Sequence, residues 1–288
     1  MKRVFWVLFL ILNLAVTSSC DSNNVLTEYA QTDTDEALYL DARNYIDDFE
    51  WDKAIDILTT QLSAEYRAQT EVQETLMYAY GGKCGISLFD LIGNLKNVTS
   101  TKMFEFSLQI FAGKVVNTAS CDNAFNTLMG LGSSSVNRTA DQNLFAAILG
   151  LTKMSTHLHA KFDTDNGGMG NGVVDVGWNS CTASNSTLRL SDSEVNKIIS
   201  GVGLIFENIA VLGAQLTSGT AGGSLTSALS TCESVLGTGN CSIVQESAVT
   251  PEIRRLFRRM ISSSMMGFGT CDLTDMITPS CCPGLSVP

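Results

Sequence analysis

Asp35–Leu62 reads DEALYLDARNYIDDFEWDKAIDILTTQL, and its apolar residues recur at the three- and four-residue steps of a helix. Ala37, Leu38, Leu40, Ala42, Tyr45 and Ile46 share one side of the first half; Trp51, Ala54, Ile55, Leu58 and Leu62 share one side of the second. The break at Asp47-Asp48-Phe49-Glu50 predicts two antiparallel helices. Helical spacing continues beyond them. Capping boxes stand at Thr70-Glu71-Val72-Gln73, Thr139-Ala140-Asp141-Gln142 and Ser191-Asp192-Ser193-Glu194, each opening an apolar helix. The first of these is predicted to end at Gly81-Gly82. Helical patterns also fill residues 86–95, 101–116, 122–131 and 225–236. Residues 194–216 are apolar on nearly every side, which predicts the longest helix, at the centre of the molecule. Thr250-Pro251 places proline at the first helical position of another helix. Strand-like alternation is absent beyond a few residues, so the fold is read as all-α.

Within the opening hairpin, Ala42, Tyr45, Trp51, Ala54 and Leu58 sit where small and large residues alternate in a tetratricopeptide repeat, and the stretch resembles one. Phe49 stands where that family often has Gly, and Tyr66 where it often has Pro. The resemblance implies TPR-like helical hairpins continuing into an irregular, disulfide-braced bundle that presents a groove to a protein or peptide. Tyr45, Trp51 and Tyr80 are the aromatic residues expected to line it. A second resemblance, to the T-component lipoproteins of TRAP-type transporters, implies instead a ligand-binding accessory component of a periplasmic transport system.

The first residues set the compartment. Lys2 and Arg3 precede the apolar run Val4–Val16, which is too short for a membrane span and reads as a secretory signal over residues 1–19. Thr17-Ser18-Ser19-Cys20 resembles a bacterial lipobox, which implies cleavage before Cys20 and a lipid (palmitate among the acyl chains) on that residue. Residues 20–34 then form a polar tether, 35–162 the TPR-like region, 163–190 a Gly/Asp-rich loop, and 191–288 a C-terminal helical region packed on the first. The expected location is the cell envelope, lipid-anchored and facing the periplasm, with a partner protein there. A net charge of −11 repels phosphate backbones and argues against nucleic acid. Beyond Cys20 the cysteines are Cys84, Cys121, Cys181, Cys232, Cys241, Cys271, Cys281 and Cys282, an even set suited to disulfides in an oxidising compartment. Short spacing favours Cys232 with Cys241, and Cys271 with one of the last two; neighbours Cys281 and Cys282 should reach different partners.

Three candidate sites stand out. Asp163, Asp165, Asn171 and Asp175 approximate a calcium loop, although Gly167 and Val174 occupy positions where ligands are expected, so Ca²⁺ is the cofactor the stretch suggests. His157 and His159, two apart on a helix, cannot both ligate one ion and are expected to be partly exposed. Arg254, Arg255, Arg258 and Arg259 oppose Ile253, Leu256, Phe257, Met260 and Ile261 on one helix. That helix offers either a positive face for an acidic partner or headgroups, or internal ion pairs for the surplus acid. No Ser-His-Asp or Cys-His set is placed for catalysis, and the chain is not read as an enzyme.

Overall fold

A computed structural model describes residues 33–85, 100, 102–208, 220–272 and 281–282, with the side chains of 166 and 220–226 left aside. The signal, Cys20, most of the tether and the helix expected at 86–95 lie outside the described residues. The chain is mainly helical and disulfide-braced, as its periodicity predicts. Helix α1 (Asp35–Asp47) begins at Thr34, whose hydroxyl accepts the Ala37 N–H. The turn through Phe49 returns the chain into α2 (Trp51–Asp56), which loosens into a π-turn at Ile57–Gln61. A one-turn helix, α3 (Ala64–Arg67), leads to α4 (Thr70–Cys84).

Helix α4 departs from expectation at both ends. Gln69 is its N-cap, so Thr70 lies inside the helix and the first capping box does not form. Gly81 and Gly82 continue the helix, which stops at left-handed Gly85. The reason is packing: a Cβ on Gly82 would stand 2.5 Å from the Trp51 ring, so the glycine admits the indole and does not end the helix.

One side of α4 (Val72, Leu76, Ala79) joins Tyr39, Ala42, Ala54, Leu58 and Leu62 in an N-terminal core. Met77 faces a second core with Phe125, Leu128 and Leu149. Beyond it come α5 (Met103–Phe111), α6 (Thr118–Leu131) and α7 (Ala140–Phe162). The Thr139 and Ser191 capping boxes both form, opening α7 and the later central helix. At the end of α7 a single turn, α8 (Asp165–Gly168), leads to two short parallel strands, β1 (Asn179–Ala183) and β2 (Arg189–Leu190). These two short strands sit within the all-α fold that the periodicity predicts. Their short, polar run carries no alternation, and tertiary bonds hold it: the Ser180 hydroxyl lies 2.9 Å from the Arg258 carbonyl.

Helix α9 (Asp192–Glu207) crosses α7 where Gly150 faces Gly201. It stops at Asn208, short of residue 216, and the 23-residue α7 is the longest helix among the described residues. Helix α10 (Thr220–Leu236) begins inside the stretch expected to be a link. Helix α11 (Pro251–Ser262) opens on Thr250 with proline in its first turn. The main core gathers Phe104, Leu158, Phe162, Ile198, Val202 and Phe257 from α5, α7, α9 and α11. Four disulfides close the fold: Cys84–Cys121, Cys181–Cys282, Cys232–Cys241 and Cys271–Cys281. Among the described residues no helix is long and apolar enough to cross a membrane.

Candidate functional site

Asp163 follows α7 as its C-cap, and the glycine-rich segment folds back over it. Its Oδ1 accepts the Asn171 N–H at 2.8 Å, and its Oδ2 accepts the Gly172 N–H at 2.9 Å. Gly170 makes this return possible. Its φ is +62°, and a Cβ there would come within 2.4 Å of both Asp163 Oδ2 and His159 Nε2. Asp175 closes the far end, its Oδ2 accepting the Thr164 N–H at 2.8 Å and the Thr164 hydroxyl at 2.7 Å. Asp165 Oδ2 accepts from Asn171 Nδ2 at 2.5 Å, while its buried Oδ1 has no hydrogen-bond partner. One oxygen each from Asp163, Asp165 and Asp175 lies within 4.8 Å of the others. Burial pushes the Asp163 carboxyl above its ordinary value, against the pull of the Asn171 and Gly172 amides.

The loop therefore gathers three of the four expected ligands. Asn171 is the exception: its side-chain oxygen accepts the Val173 N–H and its amide group serves Asp165, so it props the loop. Behind the cluster, Trp178 packs on Phe162 and Phe268 with ring centroids 5.6 Å away in each case.

The histidines are buried, contrary to expectation. His157 Nε2 sits 3.1 Å from Asp122 Oδ1, and His159 Nε2 sits 3.4 Å from Asp163 Oδ2. Their helix runs through the middle of the molecule, so opposite faces of α7 both meet protein. His157 belongs to a second polar cluster that links α6, α7 and α9. Asp122 there faces His157, Lys197 and Lys153; Lys153 Nζ also donates to Glu246 Oε1 at 2.6 Å and to the Ser200 hydroxyl at 3.2 Å. The same ammonium lies 3.7 Å from the Phe125 ring centroid. Burial alone would raise Asp122, but its hydrogen bonds and the cations bring it down to about 2. Burial lowers Lys153, opposed by Glu246. Periodicity marked α6 and α7 but gave no sign of these polar residues, because an isolated Lys or Asp in a helix reads as solvent-facing.

Helix α11 does not present its arginines as one positive face. Arg258 and Arg259 are 2 % and 1 % exposed. Arg258 donates to the Ser180 and Leu190 carbonyls and to Asp192 Oδ1, at 2.8, 3.0 and 2.9 Å. Arg254 reaches Asn196 Oδ1 at 3.2 Å and lies 3.7 Å from Asp192. Arg255 is half-buried. Of the two sequence readings, internal pairing describes Arg254 and Arg258, because the β-pair and the start of α9 supply carbonyls and a carboxylate where α11 lands.

Tyr45 and Tyr80 are half-buried along the N-terminal core, and Trp51 is half-buried over Gly82. No protein-family model, curated protein or solved structure matches the chain. The site must be read from its own chemistry.

Beside Trp51, with ring centroids 5.7 Å apart, stands a residue the sequence placed only at a bend: Phe49, 74 % exposed with φ of 61°. A phenylalanine in the left-handed region is costly, and here most of the ring faces solvent. The missing glycine at this bend was the signal that could have found it.

Proposed function

We propose that this protein is an exported lipoprotein, anchored through Cys20 and facing the periplasm, whose N-terminal helices serve as a docking scaffold for another envelope protein. The observation that carries this reading is the pairing of all eight cysteines beyond Cys20 into four disulfides. Such bridges persist in oxidising compartments, and the ninth cysteine of the sequence, Cys20, follows a signal-like apolar run. The exposed Phe49, edge-on to Trp51, supports the docking role: an aromatic held in a costly backbone conformation and left in water fits the anchor of an interface. The acidic balance supports a protein partner over nucleic acid.

The test is metabolic labelling of the native host with an alkyne fatty acid, alongside thiol alkylation without reductant. Label on the wild type and its loss in Cys20→Ala, with the other eight cysteines unreactive, is the expected result. Unlabelled protein, or eight alkylated thiols, overturns the lipoprotein reading. For the scaffold, a photocrosslinking residue at position 49 should trap a defined envelope protein, and one at the buried position 42 should not.

A further inference from the structure

Two buried groups at the acidic loop make no hydrogen bond through the atoms they bring to it: Asp165 Oδ1 and the ring of His159 on α7. Asp165 Oδ1 is out of water with no donor. His159 is 0 % exposed, neither ring nitrogen makes a hydrogen bond, and Nε2 is directed at Asp163 Oδ2 from 3.4 Å. Carboxylate oxygens excluded from water need hydrogen bonds or a counter-charge. The amide and hydroxyl donors on the loop serve the other oxygens: Asn171 and Gly172 hold Asp163, Thr164 holds one oxygen of Asp175, and Asn171 holds one of Asp165.

We infer that Asp163, Asp165 and Asp175 bind a divalent cation of the calcium class. The converging atoms are all carboxylate oxygens, the ligands hard cations prefer, and their mutual spacing of up to 4.8 Å matches oxygens arranged around one such ion. His159 Nε2 faces Asp163 Oδ2 from α7 at 3.4 Å, where outer groups stand around metal ligands, while the Asn171 and Gly172 amides hold the carboxylate in place. With Asn171 spent on the loop itself, water and backbone oxygens complete the coordination. So few charged ligands place the affinity near that of extracellular calcium modules, at Kd of about 10⁻⁴ to 10⁻³ M. The inference stands apart from the scaffold reading.

Calcium titrated into the intact, disulfide-oxidised, chelator-treated protein should release heat, raise Tm and alter the fluorescence of Trp178, whose backbone N–H meets the Asp175 carbonyl at 3.2 Å. Asp165→Asn should weaken binding about tenfold or more with unchanged far-UV circular dichroism and unchanged Tm in chelator. Asp165 is the variant of choice because its carboxylate holds no backbone amide; Asp175→Asn is the second. No heat and no change in Tm up to about 10 mM calcium overturns the site. So does calcium binding undiminished in both variants. Zinc binding that calcium fails to displace overturns the calcium class.

Discussion

Asp122 shows how one side chain can govern three helices. It receives His157 and Lys153 from α7 and Lys197 from α9, and it keeps the fully buried Lys153 from depending on Glu246 alone. Asp122→Asn removes the carboxylate and leaves the cations facing one another, so denaturant unfolding should show a loss of about 3 kcal/mol. The carboxyl titrates at about 2 in the folded chain against an ordinary 3.8, so its contribution is complete above pH ~4 and disappears as pH falls toward 2. Partial exposure of the group limits this to about 1–2 kcal/mol. Wild-type stability should therefore drop across that window by more than that of Asp122→Asn; parallel profiles would remove Asp122 from the account. Nothing in the sequence disclosed this cluster. Its members come from positions 122, 153, 157, 197 and 246, and only the packing of α6, α7 and α9, with the short turn Glu246–Ala248 laid against them, makes neighbours of them.

At the scale of elements, what could be read in the sequence depended on whether the deciding contact was local. The boxes at Thr139 and Ser191 formed because cap and third residue satisfy each other within one turn. The box at Thr70 did not form, and Gly81-Gly82 did not end α4, where Gly82 answers to Trp51 from another helix. The same logic applies where α7 crosses α9: a Cβ on Gly150 would lie 2.6 Å from the Gly201 carbonyl oxygen. Backbone cannot retreat as a flexible side chain can, so Gly150→Ala should push the helices apart and lower stability by about 1–3 kcal/mol in chemical denaturation. Phe49→Gly should behave differently. It relieves a left-handed residue of about 1–2 kcal/mol, offset by glycine's entropy of about 0.5–1 kcal/mol and the lost Trp51 contact. Stability should remain within about 1 kcal/mol of wild type while association with the envelope partner falls. A large loss of stability would mark Phe49 as a packing residue and remove it from the docking surface.

Across the whole molecule, the disulfides run from local clips, through Cys84–Cys121 at a separation of 37, to one long-range closure. Cys232–Cys241 and Cys271–Cys281 span 9 and 10 residues, whereas Cys181–Cys282 spans 101 and ties β1 to the distal end of the described chain. The even number of cysteines beyond Cys20 made bridging legible, and short spacing suggested the clips; the long bridge depends on β1 lying against α11, which no spacing announces. In the chain-entropy account, a longer loop removes more freedom from the unfolded ensemble, and closing 101 residues stabilises by about 2 kcal/mol more than closing 9. The paired Cys181→Ser, Cys282→Ser variant should accordingly lose about 2 kcal/mol more than Cys232→Ser, Cys241→Ser, measured by urea unfolding of the otherwise oxidised proteins. Equal losses would mean that the unfolded chain is already held compact by the remaining bridges, so that the closure of residues 181–282 constrains little that the others do not.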